Sequence, residues 1–212
     1  MTRDDTTFRQ MRDHWWWRPG WRVGRSFYTW HLTFADAPEV HRLTSAYRAQ
    51  LAGLPGLDPI PDRWLHLTMQ GIGFTDEVSE ADVTRIAHAA QERLRQLAPF
   101  DITLGPAITD PEVVRLRAAP RESVAEVRMV IRDAIADVWG DDQVPEDADS
   151  FTPHVSVAYS NSAGPAQPIL DAVAAGQPAP AVVTIEAAQL IVLNRDNHQY
   201  EWTEYASASL GS

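Results

Sequence analysis

Two short stretches constrain this chain more than any other feature: His66-Leu67-Thr68-Met69 and His154-Val155-Ser156-Val157. Each reads as a histidine, one residue, a hydroxyl residue and an apolar residue, and each lies in a β-like run. Strand alternation puts the imidazole and the hydroxyl of a copy on one face. The copies stand 88 positions apart, and each is followed by helix-like sequence. One copy would carry little information. The pair points to a duplicated unit that aims two histidine and hydroxyl pairs at one cleft.

The flanking sequence repeats in the same order. Residues 27–34 read as a strand, with Tyr28, Trp30, Leu32 and Phe34 on one face and Thr29, His31 and Thr33 on the other. Asp36 and Pro38 start a helix in which Val40, Leu43, Tyr47, Leu51 and Leu54 recur at helical spacing, up to Pro55-Gly56. In the first motif strand, Leu65, Leu67 and Met69 are expected to face helices, with His66, Thr68 and Gln70 facing away. A cap at Thr75 or Asp76 then opens a second helix through Val83, Ile86, Ala90 and Leu94, followed by a strand over 100–104. The second copy places a strand at 113–116, a helix at 122–139, an acidic loop at 141–149, the motif strand, a short helix at 168–175 and one strand over 182–193. Equivalent elements sit about 85 to 88 residues apart, the mark of an internal duplication. The expected organisation is an N-terminal arm (1–25), one bilobed domain (26–194) with repeats of about 26–108 and 112–194, and a C-terminal strand or tail (195–212) whose end frays.

What the chain lacks narrows its chemistry. There are no cysteines, which excludes disulfides, thiolate nucleophiles and zinc-thiolate sites. All 18 basic residues are arginine. Without lysine there is no Walker-type phosphate loop, no Schiff base and no lysine-linked nucleotide of the kind ATP-dependent polynucleotide ligases form. The formal charge of −11 opposes tight binding along a polyanion, because that affinity comes largely from phosphate neutralisation. No long uncharged apolar run is present to span a membrane, and the charged N-terminus is unlike a secretory signal. The expectation is a soluble, cytoplasmic protein that binds neither membrane nor long nucleic acid.

The pair of motifs, with its spacing and surrounding elements, resembles the two-histidine (2H) phosphoesterase superfamily, in particular its LigT-like "2′-5′ RNA ligase" branch. The resemblance covers about residues 26 to 194. It implies an α+β class fold, bilobed and duplicated, with two antiparallel sheets flanking a central cleft and helices outside. It also implies metal-independent and cofactor-free chemistry on 2′,3′-cyclic phosphates, 2′-5′ linkages or related small phosphodiesters. The family motif falls on His66 and Thr68 and on His154 and Ser156. Opening a cyclic phosphodiester needs a base for the attacking water, an acid for the leaving ribose oxygen and donors for the phosphoryl oxygens. Histidine suits both proton roles, with an ordinary pKa of about 6.5. By resemblance His66 is the proton donor and His154 the acceptor, while Thr68 and Ser156 donate to the non-bridging oxygens.

Other residues remain open. His31-Leu32-Thr33-Phe34 is a third match to the motif, but it falls on the first strand, where the second copy places Arg117. By strand parity His31 and Arg117 both line the cleft, with Arg117 or Arg115 a candidate phosphate contact; structural packing is the alternative for either. Trp15, Trp16, Trp17 and Trp21 are read as rings that pin the arm to the domain, with base stacking or a dimer contact as the lesser alternative. Nothing singles out His14, His41, His88 or His198, and no metal-ligand spacing is present. The acidic loop is read as a solvated connection. The leading functional reading is a phosphodiesterase opening 2′,3′-cyclic phosphates of nucleotides or RNA ends to 2′-phosphates, with reversible 2′-5′ ligation as a further reaction. Its partners are small nucleotides or RNA termini. Hydrolysis of 2′-5′-linked or cyclic signalling nucleotides is the second reading, and a phosphonucleotide-binding module without turnover is the third.

Overall fold

The computed structural model describes residues 8–211. The first seven residues of the expected arm and Ser212 of the expected tail lie outside them. The described arm begins with β1 (Gln10–Met11), and β2 (Phe27–Thr33) follows. Helix α1 (Pro38–Leu51) opens on a proline, whose missing N–H has no intrahelical partner to lose there. It stops short of Leu54, and Gly53 takes the positive φ of 84° that turns the chain toward β3 (Leu57–Pro59). The motif strand β4 (His66–Phe74) comes next, then α2 (Glu80–Leu94). Thr75 and Asp76 do not cap this helix. They lie in a turn, where Asp76 binds Arg22 and Arg25 of the arm, and Ser79 holds the N-cap position.

The second half contains β5 (Phe100–Asp110), β6 (Val113–Ala119), α3 (Arg121–Trp139), β7 (His154–Ser160), β8 (Gly164–Pro165), α4 (Gln167–Ala175), β9 (Ala181–Ile185), β10 (Ala187–Asn194) and β11 (Glu201–Ser209). The run expected as one strand over 182–193 is thus two strands, broken at Glu186, because they belong to different sheets. One sheet has the order β11-β10-β2-β4 and the other β3-β7-β6-β5-β9, with every pairing antiparallel. The arm strand β1 pairs with β8 in a small separate ribbon.

The sheets do not follow the two sequence halves. The last strand of the first half, β5, pairs with β6, and the last strand of the second half, β10, pairs with β2. The first helices cross as well. From α1, Tyr47 receives a hydrogen bond at its hydroxyl from the Ala107 amide of β5, and from α3, Arg128 donates to the Met69 carbonyl of β4. Helices α1 and α4 therefore cover the outer face of the second sheet, while α2 and α3 cover that of the first. Each outer face is apolar: Trp30, Leu32 and Phe34 in and just after β2, and Val114 and Leu116 in β6, are buried there. The inner faces look toward each other across a cleft. Among the described residues no helix is long and apolar enough to cross a membrane. The tail does not fray where described, since β11 is an edge strand with Ala208 buried and Leu210 is buried just beyond it.

The acidic loop is not a free connection. Arg128, nearly fully buried, donates to the carbonyls of Met69, Ala148 and Asp147, and Arg132 donates to Gln70 and to the carbonyls of Pro145 and Glu146. These bonds tie the loop over β4, which is the edge of its sheet and would otherwise expose unpaired backbone groups. Arg128→Leu removes a guanidinium that satisfies the buried Met69 carbonyl, costly to leave without a donor, and two carbonyls of the loop. A loss of about 3 kcal/mol or more in unfolding free energy is expected from urea titration; a loss below about 0.5 kcal/mol, the range of an ordinary surface substitution, would contradict this role.

Candidate active site

The motif residues meet where the two inner faces converge. His66 and Thr68 from β4, His154 and Ser156 from β7, and His31 from β2 line one cleft of about 340 Å³. Register explains how each pair reaches it. Thr68 stands opposite His31 and His66 opposite Thr33, while Ser156 stands opposite Arg115 and His154 opposite Arg117. Directly opposed residues in an antiparallel pair share a face.

Each motif then ends in the same irregularity. Between the pairs His31–Thr68 and Trp30–Gln70, strand β4 advances two residues while β2 advances one, so Met69 is an extra residue. Between Arg115–Ser156 and Val114–Ala158, Val157 is the extra residue of β7. The apolar last letter of both motifs is therefore a β-bulge, a device that re-aims the side chains around it. Gln70 shows the effect. Strict alternation puts it beside His66 and Thr68, but past the bulge it opposes Trp30 on the helix side, fully buried, with its amide oxygen on Arg132 and its nitrogen on the carbonyls of Gly71 and Pro145.

The two histidines are held alike. His66 Nδ1 lies 2.8 Å from the Trp64 carbonyl and His154 Nδ1 lies 2.8 Å from the Thr152 carbonyl, in each case two residues back along the chain. A carbonyl oxygen only accepts, so Nδ1 carries the proton in both rings. Nε2 is the nitrogen left to exchange a proton with a ligand. Burial lowers both pKa values: that of His66 falls to about 4, with the proton-favouring bond to Trp64 opposing and the charge of His154 adding to the fall. His154 is lowered by burial and then by Arg115, against the Thr152 bond and Asp110.

His31 is nearly sealed from solvent and stacks on His66, with centroids 4.4 Å apart and ring planes 5° apart. Its Nε2 lies 3.4 Å from Thr68 Oγ1, and burial followed by the charge of His66 holds it well below the ordinary imidazole value. Arg117 is placed differently. It shares the sheet face of His154 but lines a neighbouring cavity of about 710 Å³ rather than the histidine cleft. By register Arg115, not Arg117, occupies the place of His31 in the second copy, and it is ion-paired with Asp110.

Several cleft residues carried no sequence signal. His14, from the arm, stacks on Tyr159 at 4.1 Å and bonds through Nε2 to the Tyr200 hydroxyl at 3.0 Å. Burial first, then Arg18 and Arg195, lowers its pKa to about 3. Arg18 of the arm and Glu146 of the acidic loop also line the cleft, as does Trp21, which the sequence offers as one of the rings pinning the arm. Of the arm tryptophans, Trp15 is buried and donates to Asp58 at 2.9 Å, whereas Trp16 and Trp17 are about half exposed, at 49% and 51%. Only a motif could have flagged such residues, and a single His or Arg outside a strand offers none. Among the described residues no group of three or more histidines and carboxylates is arranged to hold a metal ion.

Comparison with known proteins adds a family and a fold. A family model described as "2′-5′ RNA ligase superfamily" matches residues 35–197. No curated protein sequence matches the chain significantly. Among solved structures, TT0787 of Thermus thermophilus superposes with a TM-score of 0.66 at 20% identity, covering 89% of this chain and 99% of that one. LigT of E. coli crystallised with NADP+ gives 0.62 at 18% identity over the same shares, and it is also solved with 3′-AMP and with phosphate. The MHV ns2 PDE domain gives 0.58 at 13% identity, covering 79% of this chain and 99% of that one. At these identities the structural likeness shows the fold.

The lowered imidazole pKa values set a stability slope. An unfolded histidine takes up a proton below about pH 6.5, whereas His66 in the folded chain resists until about pH 4. Stability is therefore fully present above pH 6.5 and falls as pH drops toward 4. Between pH 7 and pH 5, His66 should account for about 2 kcal/mol of lost unfolding free energy. His66→Asn should reduce the loss between those two pH values by about that amount in urea titrations; an unchanged loss would mean that His66 is not held neutral.

Proposed function

Since the chain belongs to the 2′-5′ RNA ligase superfamily of two-histidine phosphoesterases, we propose that it is a metal-independent phosphodiesterase that opens 2′,3′-cyclic phosphates of nucleotides or RNA ends to 2′-phosphates. One observation carries the reading. Two imidazoles on equivalent strands, each fixed by an Nδ1–H bond to the carbonyl two residues back, line one cleft with Nε2 uncommitted. A purely structural histidine has no need of that duplicated arrangement.

In the proposed reaction, His154 Nε2 accepts a proton from water as the water oxygen attacks phosphorus. The bond from phosphorus to O3′ breaks, and His66 Nε2–H gives its proton to the departing oxygen, leaving the phosphate on O2′. Approach and departure on opposite sides of phosphorus suit two imidazoles carried by facing sheets. Thr68 and Ser156 stand one turn of the pleat from their histidines, placed to donate to the non-bridging oxygens. The order of the two histidines follows the family resemblance. With a 5′-hydroxyl attacking phosphorus in place of water, the same P–O3′ cleavage makes a 2′-5′ linkage, and reversed proton passage cleaves that linkage back to the cyclic phosphate. Small nucleotide ligands agree with the LigT structures that contain 3′-AMP and NADP+.

Turnover of a nucleoside 2′,3′-cyclic phosphate should persist in excess EDTA. His66→Ala and His154→Ala should each lower kcat by roughly 10²–10⁴-fold, the usual worth of a positioned acid or base. Loss of activity in EDTA, or two fully active variants, would end the proposal. The pH dependence is a separate test. The working enzyme shares one proton between two imidazoles whose free-enzyme pKa values both lie below 6.5. The maximum of kcat/KM should therefore fall below pH 6.5. The bound phosphate anion favours the protonated ring, so the kcat maximum should lie at higher pH; coincident maxima above pH 7 would contradict the electrostatics of the site.

A further inference from the structure

The arm, which lies before the family-matched region, is built into the cleft rather than laid along the outside of the domain. Its backbone is fixed on the second sheet side by bonds from the Arg12 amide to the Pro111 carbonyl at 2.7 Å and from the His14 amide to the Ser160 carbonyl at 2.8 Å. Its side chains are fixed by Trp15 on Asp58, by His14 on Tyr200, and by Arg195, which is buried and donates to the His14 carbonyl at 3.0 Å. The Arg195 guanidinium also lies within 6 Å of the ring centroids of Trp15 and Trp21, at 5.5 and 5.7 Å. An element held this firmly presents its remaining side chains in fixed positions.

Two of those side chains face the histidines' cleft. Among the described residues that line it, Arg18 alone carries a guanidinium. Glu112 meets its Nη2 at 3.4 Å, a long contact between partly exposed groups. Its Nε is buried without a hydrogen-bond partner. An unsatisfied buried donor on a permanent cation favours an anion that arrives with a ligand. In the same cleft, Trp21 packs with Phe27, centroids 5.8 Å apart, and both rings line it. Flat aromatic surface in a cleft that also holds a guanidinium is what a nucleobase stacks on, without regard to its identity. The arginines that the sequence suggested for the phosphate stand elsewhere: Arg115 is paired with Asp110, and Arg117 lines the adjoining cavity.

We propose that the arm forms a nucleotide subsite in which Arg18 binds the phosphate and Trp21, with Phe27, stacks on the base. The subsite rests on the phosphodiesterase reading for its substrate, but it can be tested for binding alone. The full chain is assayed on adenosine 2′,3′-cyclic phosphate and on a methyl riboside 2′,3′-cyclic phosphate, which keeps sugar and phosphate without a base. Calorimetric titration with adenosine 2′-monophosphate is run in parallel. Arg18→Gln should raise KM about tenfold or more on both substrates with little change in kcat, and Arg18→Lys should recover part of the loss. Trp21→Ala should raise KM on the adenosine substrate only, and Trp21→Phe should restore it. Glu112→Gln releases Arg18 and should leave KM unchanged or lower; a rise matching that of Arg18→Gln would assign Arg18 to a structural pair and overturn the subsite. Wild-type KM and affinity in Arg18→Gln and Trp21→Ala would overturn it too, while leaving the phosphodiesterase reading intact. Nucleotide binding that depends on Arg18 and Trp21, without turnover, would uphold the subsite and overturn the reaction. Neither binding nor turnover in the wild type would overturn both.

Discussion

Everything in this molecule depends on the exchange of strands between its two halves. Strands β2 and β4 of the first half form a pair whose β2 edge is closed by β10, and β6 and β7 of the second half form a pair whose β6 edge is closed by β5. A two-stranded ribbon is at best marginally stable in water, so neither half holds its own motif strand in place. Because β5 and β10 are internal strands of the opposite sheet, the two sheets form only together. The cleft is a consequence. Each sheet covers one face with helices, and the inner faces, tethered by the crossing chain, confront each other with their polar positions between them.

The same geometry explains what could be read from the residues. The helices were legible because Val40, Leu43 and Tyr47, or Val124, Val127 and Ile131, repeat at the period of a helix whose one face is buried. The motif histidines were legible because a duplicated spacing on strands is hard to produce by chance. The pairing of β10 with β2 was not, since strand partners so far apart along the chain leave no local trace. The run through Ala181 to Asn194 hid its break for a related reason: both parts are apolar, and only the presence of two sheets makes Glu186 a boundary. The bulges at Met69 and Val157 are invisible to strict alternation, which is why that rule puts Gln70 on the wrong face. The arm residues His14, Arg18 and Trp21 lie outside long elements and carry no periodicity, so only the assembled cleft shows what they touch.

The absence of lysine leaves arginine to do every cationic task, and its distribution separates structure from binding. Arg25 closes the turn after β4 through Asp76 and Glu77; Arg128 and Arg132 tie down the acidic loop; Arg115 is neutralised by Asp110. Guanidinium suits these places because its planar array of donors can satisfy several carbonyls at once and keeps its charge when buried. The cleft itself holds four neutral imidazoles, His14, His31, His66 and His154, with pKa values all lowered. Neutral rings remove the penalty of burying several like charges together, and among the described lining residues Arg18 and Glu146 carry the fixed charges of the cleft.

That arrangement reconciles a net charge of −11 with the proposed phosphate ligand. Field from charges on the outer surface decays over about 8 Å at physiological ionic strength, so it acts on a long polyanion lying along the surface but weakly on a group enclosed in the cleft. Inside, short-range terms decide. In the proposed reaction a phosphoryl group would meet hydroxyl donors at Thr68 and Ser156, a guanidinium at Arg18, and two imidazoles whose protonation its charge would promote. On the proposed function the ligand supplies the electrostatic change that readies the acid, while burial alone keeps the imidazoles neutral. If the cleft charges on binding as proposed, the acidic exterior selects for phosphate presented at an end and discriminates against the same phosphate repeated along a chain.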